Sequence, residues 1–260
     1  MSSRAAKGMK PEKTVNRYGL GVSSAASIGD FAVEKRKRQI LKYISLEGKA
    51  ILDVGCGNGL YTLTLASLAR KAVGVDIRQE VLTEATKNKI KLGRDTGFIR
   101  AVAESLPLCN STFDVVLLVE MLEHVQSQQK TLEEVNRVLK GGGYLIIYVP
   151  NKLYPFDVHG LRVGRRSLNG LYGGSMPFFS WCPQFIRKKF ERARIYTKGQ
   201  ITRLVESHGF IIQTVDYMYP PLDRLGNRFS KSTLRKIISG FERNRLLKRF
   251  GMSLLIVAQK

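Results

Sequence analysis

The stretch Ile51-Leu52-Asp53-Val54-Gly55-Cys56-Gly57-Asn58-Gly59-Leu60-Tyr61 decides the fold. An apolar run enters a turn holding three glycines and leaves as a helix, a strand–turn–helix unit that brings bare backbone up against a ligand. The glycine spacing separates this turn from a dinucleotide fingerprint, whose G-x-G-x-x-G pattern needs its third glycine at position 60, where this chain has Leu60. Asp53, just ahead of the turn, is a poor neighbour for a pyrophosphate and a good one for an ammonium group. A second apolar run, Ala72-Val73-Gly74-Val75, ends in Asp76, seventeen residues past Gly59. An acid at the end of the second strand of such a unit is placed to take both hydroxyls of a ribose.

Around these two points strand and helix signals alternate. The apolar runs predict strands over 50–54, 72–76, 98–101, 113–119 and 144–149, with helices over 61–68, 80–92 and 128–139. Gly93 and Gly141 stand where C-terminal caps are expected. Asp30 is placed to cap a leading helix through Ile44, with Phe31, Ile40, Leu41 and Ile44 on its apolar face and residues 35–38 mostly solvated. Thr197-Lys198-Gly199-Gln200 has the form of a capping box opening a helix to His208, and 210–217 and 253–259 read as two last strands. Such alternation implies an α/β fold with a mostly parallel sheet covered on both faces, its ligands beyond the carboxyl ends of the strands.

The glycine turn resembles motif I of the class I S-adenosylmethionine (SAM) dependent methyltransferases. It is followed in order by the acid-ended second strand, Ala103-Glu104-Ser105-Leu106-Pro107-Leu108 and Thr112-Phe113-Asp114-Val115-Val116, an arrangement similar to the small-molecule and quinol branch of that family (methyltransferase type 11, ubiquinone-biosynthesis O-methyltransferases). The likeness is close over 48–151. It implies a Rossmann-like, seven-stranded sheet whose last strand is antiparallel. It also implies SAM contacts from Asp53, Gly55, Cys56, Gly57, Gly59, Asp76, Ile77, Ala103, Glu104 and Glu120, with S-adenosylhomocysteine as product. Where the family usually carries an acid near the adenine amine, this chain has Val102, which leaves that role to Glu104 or to backbone groups.

Methyl transfer from a sulfonium depends mainly on in-line positioning, but an alcohol or phenol acceptor must also lose a proton. This draws attention to Glu120-Met121-Leu122-Glu123-His124 after the fourth strand, and to His159 beyond the fifth. An E-x-x-E-H element with a further histidine resembles the divalent-ion site of small-RNA 2′-O-methyltransferases, which makes Glu120, Glu123, His124 and His159 candidate ligands of an ion such as Mg²⁺. Glu123, His124 and His159 are equally candidate metal-free catalytic groups. The plainer alternatives are that Glu120 supports the cofactor, His124 is a hydrogen-bonded histidine, and His159 ends a turn. His208, at a predicted helix end, is expected to meet the helix C-terminus.

The 260 residues carry a net charge of +22, unevenly spread. Residues 1–50 hold eleven basic and four acidic side chains, 51–150 hold eleven of each, and 151–260 hold twenty-one and six. The excess therefore avoids the cofactor half, as expected if the flanking segments face an anionic partner. The sequence divides into a basic N-terminal segment and helix (1–47), a SAM-binding core (48–151), an aromatic and basic cap insertion (152–196), and a C-terminal part (197–260) with a basic amphipathic insertion over 228–250. With no run of 18 apolar residues and no apolar signal core, the expected location is the cytoplasm or, peripherally, a membrane surface. Three scattered cysteines argue against a disulfide framework. The expected function is O-methylation of a small or lipid-linked hydroxylated acceptor. An RNA 2′-O-methyltransferase and a non-catalytic SAM-binding protein are the rival readings.

Overall fold

Alternate residues along the strands face opposite sides of the sheet, and here both sides are apolar. In the computed structural model, which describes residues 31–155, 161–163, 166–168, 178–187, 193–219, 240, 244 and 246–260, the strands are β1 (Ala50–Val54), β2 (Lys71–Asp76), β3 (Gly97–Arg100), β4 (Phe113–Val119), β5 (Leu139–Pro150), a short hairpin β6 (Leu161–Val163) and β7 (Arg166–Leu168), β8 (Ile211–Met218) and β9 (Ser253–Gln259). The helices are α1 (Phe31–Leu41), α2 (Leu60–Ala66), α3 (Gln79–Leu92), α4 (Gln128–Val138), α5 (Gln184–Arg187) and α6 (Lys198–Glu206). Leu52, Val54, Val116, Leu118, Leu145, Ile147 and Ile256 pack on one side with Leu132 and Val135 of α4 and Ile201 of α6. Ile51, Val115, Leu117, Ile146, Tyr148 and Leu255 pack on the other with Ile40 of α1 and Leu65 of α2.

The seven-stranded sheet has the order β3-β2-β1-β4-β5-β9-β8. β1 runs parallel to β2 and β4, with Leu52 opposite both Val73 and Val116, while β9 is antiparallel to β5 and β8. The expected α/β sheet with one antiparallel last strand is therefore present. The strand order reverses at β1 and β4, and the crevice beyond their carboxyl ends is where such sheets bind ligands.

Local chemistry accounts for most boundaries. Gly93 ends α3 in the left-handed conformation (φ 58°), its amide and that of Arg94 donating to the carbonyls of Ile90 and Lys89. The capping box at Thr197 forms as expected: Gln200 N–H donates to Thr197 Oγ1 (3.3 Å) and Thr197 N–H to Gln200 Oε1 (2.9 Å). α6 stops at Glu206 and not at His208, whose Nδ1 lies 2.7 Å from the Leu204 carbonyl at the helix end.

Two expectations are corrected. Gly141 is not a helix cap. The chain passes from α4 straight into β5 at Leu139, fully buried and paired with Phe113, and the Lys260 ammonium donates to the carbonyls of Asn136 and Leu139. Leu41, assigned to the apolar face of α1, is 39% exposed, since Ile40 and Ile44 already fill that face. Asp30, Phe156 and most of 228–250 lie outside the described residues.

α1 is tied down by Asp216 of β8. Its carboxylate accepts from Tyr43 Oη (2.6 Å), Gln39 Nε2 (3.2 Å) and its neighbour's amide, Tyr217 N–H (2.9 Å), and pairs with the Lys248 ammonium. These donors outweigh burial and hold its carboxyl down at about 2. A depressed carboxyl adds stability that is present above the ordinary carboxylate range and is lost as pH falls toward 2. Asp216→Ala should lower the unfolding free energy by about 2 kcal/mol, because it removes a buried carboxylate and takes that partner from the half-buried Tyr43 phenol and Lys248 ammonium. It should also flatten the acid limb of the stability profile, as read by denaturant melts between pH 5 and 2.

Candidate functional site

The turn after β1 is held by its neighbour strand. Gly55 N–H and Cys56 N–H both donate to the Val75 carbonyl (2.7 and 2.9 Å), and Gly57 N–H donates to Asp76 Oδ2 (2.9 Å). Asp76 Oδ1 takes the Arg78 amide (3.0 Å). The glycine turn and the acid that ends β2 are thus one hydrogen-bonded unit.

Glycine is required here by contact as well as by conformation. Gly55 has φ 79°, and a Cβ on it would stand 2.7 Å from Met121 Cβ. Gly59 has φ 73°, and a Cβ on it would stand 2.5 Å from the Phe98 ring. A Cβ on Gly57 would meet nothing within 4 Å, so that residue borders open space at the mouth of the crevice. The Cys56 thiol is buried and its pKa raised by desolvation, so the side chain serves as packing and not as a nucleophile.

Asp53 is 2% exposed and accepts from Thr62 Oγ1 (2.6 Å). Burial pushes its carboxyl up to about 7; the Thr62 hydrogen bond opposes this and the Asp76 charge adds to it. The site therefore holds a carboxyl that a cationic ligand would ionise. Beyond Asp76, Ile77 and Val102 expose 38% and 37% of their surface, apolar side chains left open at the strand ends, and Ala103 is nearly buried. Glu104 Oε1 accepts the amides of Gln126 (2.8 Å) and Ser127 (3.2 Å), so this carboxylate organises the loop that opens α4.

The segment after β4 reaches the same crevice. Glu120 sits in the left-handed region at φ 52°, a strained position for a residue with a Cβ. Its Oε1 accepts from Arg36 Nη2 of α1 (3.1 Å) and from Ser253 Oγ of β9 (2.7 Å). Arg36 also lies over the Tyr148 ring, 5.7 Å from its centroid. Glu123 is fully buried, and desolvation with the Glu120 charge beside it raises its pKa well above the usual carboxylate range. His124 Nε2 is 3.7 Å from Glu123 Oε1.

Of the four candidate metal ligands, only Glu120, Glu123 and His124 fall among the described residues. Glu120 is committed to Arg36 and Ser253, and among the described residues no three His, Cys, Asp or Glu side chains converge on a common point. His159, the fourth candidate, lies outside the described residues.

Two site residues escaped sequence reasoning. Arg36 belonged to a basic run read as mostly solvated; its partner stands 84 positions away, and no local signal marks it. Arg194 donates to the carbonyls of Val125 (2.6 Å), Gln126 (3.3 Å) and Glu123 (3.4 Å), strapping the loop that carries Glu123 and His124.

With this geometry in view, comparison with known proteins is specific. Residues 52–147 match a family model described as a methyltransferase domain. The fold is that of the class I SAM-dependent methyltransferases. A ubiquinone biosynthesis O-methyltransferase of Paraburkholderia phymatum is 32% identical over 137 residues, which span 51% of this chain and 59% of that protein. A solved SAM-dependent methyltransferase of Mesorhizobium loti superposes with a TM-score of 0.60 at 19% identity, covering 89% of this chain and 99% of that one. The cyclase SpnF matches equally well (TM-score 0.60, 19% identity, 89% and 82%), so this architecture also carries other chemistry.

The strain at Glu120 can be measured. Glu120→Ala and Glu120→Gly both remove the ion pair, but only glycine adopts φ 52° freely. The glycine variant should be the more stable of the two by about 1 kcal/mol in urea melts.

Proposed function

We propose that this chain is a SAM-dependent methyltransferase that methylates a hydroxyl of a small or lipid-linked acceptor of quinol or phenol type. The observation that carries the reading is the meeting of the glycine-rich turn at Gly55–Gly59 with two buried acids, Asp53 and Asp76, at the carboxyl ends of β1 and β2 beside the β1/β4 reversal. Asp53 suits the ammonium of the methionine tail and Asp76 the ribose diol, while Ile77, Val102 and the Ala103 backbone suit the adenine. Arg36, whose Nε is buried with no hydrogen-bond partner among the described residues, suits the tail carboxylate. The sulfonium supplies an activated methyl group; the residues of the chain orient it, exclude water and remove the acceptor proton. We assign that last role to the His124 imidazole, whose Nε2 faces the buried Glu123 at 3.7 Å, so that Nδ1 is the nitrogen that takes the acceptor proton.

In this reading residues 48–151 are the cofactor core, 152–196 a cap over the acceptor, and the basic segments at 1–47 and 228–250 face an anionic membrane surface from the cytoplasm. No helix among the described residues is long and apolar enough to cross a membrane, which fits a peripheral arrangement. The test is transfer of labelled methyl from SAM to fractionated lipid, small-molecule and RNA extracts. Label in the quinol or lipid fraction, lost by roughly 100-fold in His124→Ala, supports the proposal; label in RNA alone overturns the acceptor assignment.

Two measurements check the parts. Binding of S-adenosylhomocysteine should tighten as pH rises from 5 through 7, because its ammonium favours ionised Asp53, whose carboxyl is otherwise neutral up to about 7. Calorimetric titration of Asp53→Asn should show weaker binding with that pH dependence removed. Folding stability carries the opposite sign: a raised carboxyl adds stability that is full below about 4 and lost as pH climbs through 7. Thorough chelation should leave methyl transfer unchanged, since Glu120 is held by Arg36 and Ser253; loss of turnover restored by Mg²⁺ would reverse that conclusion.

A further inference from the structure

Outside the crevice, exposed aromatic rings drawn from two distant parts of the chain form a cluster. Phe178 and Trp181 follow the β6–β7 hairpin, and Phe250 closes a short helical turn, Leu247–Phe250, just before β9. The Trp181 ring lies 5.2 Å from Phe178 and 6.5 Å from Phe250, centroid to centroid, and the three are 47%, 57% and 39% exposed. Leu153 adds a further exposed apolar side chain, and its carbonyl accepts the Trp181 indole N–H (3.2 Å).

Three points say what this cluster meets. The indole N–H is already satisfied inside the protein, so burying the Trp181 ring in an apolar medium would leave no polar atom unpaired. Phe178 is held at φ 60°, an unfavourable conformation for a bulky residue, and keeps more than half of its surface exposed beside the Trp181 ring. The two contributing segments are strongly basic: residues 178–195 hold five basic side chains to one acidic, and 231–250 hold seven to one. Exposed rings carried on segments of basic sequence are what the headgroup layer of an anionic bilayer accepts, apolar groups sinking between the lipids while lysine and arginine meet phosphate.

We infer that the Phe178–Trp181–Phe250 face is the part of this protein that inserts into an anionic membrane surface. The inference rests on the peripheral-membrane reading above and identifies the surface that performs it. Both halves of the patch flank the chain leaving β5 and entering β9, next to the carboxyl end of β5. A lipid-linked acceptor would thus be met close to the cofactor crevice.

Trp181 is the only tryptophan in the chain, so the patch reports on itself. With the full-length protein, vesicles of phosphatidylglycerol and phosphatidylcholine should shift Trp181 emission to the blue and shield it from iodide. Phosphatidylcholine alone should do so far more weakly, and the gap should shrink in high salt. The double variant Phe178→Ser/Phe250→Ser should weaken vesicle partition by about tenfold or more and leave S-adenosylhomocysteine binding unchanged, which shows that the variant is folded. Unchanged emission in the presence of anionic vesicles overturns the inference. So does a blue shift that grows with protein concentration without lipid, which would make the face a self-association surface, or one produced by RNA and not by vesicles. The two proposals fail separately: insertion without S-adenosylhomocysteine binding removes the methyltransferase reading and keeps the docking face, and the converse result removes only the face.

Discussion

The turn from Gly55 to Gly59 passes between Met121 and Phe98 with no room for a side-chain carbon at either end, and the rest of the site depends on that passage. Met121 belongs to the segment after β4 and Phe98 to β3, so the turn is the point at which three strand ends are registered against one another. The amides freed by its left-handed residues do not go unpaired. They are collected by the Val75 carbonyl and the Asp76 carboxylate, which fixes the turn to β2. A Cβ at Gly55 or at Gly59 would therefore displace Met121, next to Glu120, or Phe98 of β3, the strand paired with β2.

Around that passage the chain places acids of opposite character. Asp53 and Glu123 are buried, and desolvation holds each toward its neutral form. Asp216, less deeply buried, is surrounded by donors and stays ionised into strong acid. The difference lies in depth and in partners together. The two desolvated acids lie at the crevice, where a cationic ligand or an acceptor proton can change their state. The donor-rich one lies at the junction of α1 with β8, where it carries load between elements.

Much of this was legible in the chain. Buried parallel strands are continuous apolar runs, so β1 and β4 stand where their apolar runs predicted, and β9, antiparallel but buried between β5 and β8, reads the same way. Caps are legible because their chemistry is local: Thr197 with Gln200, and Gly93, act on amides and carbonyls within one turn. Gly141 misled because the carbonyls it was expected to serve are satisfied by Lys260, more than a hundred residues later. Arg36 was illegible for the same reason, as one basic residue among four until α1 folds across β4 and its guanidinium meets Glu120.

The sequence by itself determined the class of fold and the position of the cofactor turn, because glycine spacing, strand periodicity and acid-ended strands act over a few residues. The tertiary structure decided the electrostatic state of the site. Whether Glu120 is a ligand or an ion-pair partner, and whether Glu123 is solvated or sealed, depends on what α1, β9 and the segment around Arg194 bring to it. The aromatic face has the same origin: Phe178, Trp181 and Phe250 are ordinary apolar residues in sequence and become one surface only because β5 and β9 pair. Long-range pairing sets desolvation and charge neighbours, and neither is written in any short stretch of chain.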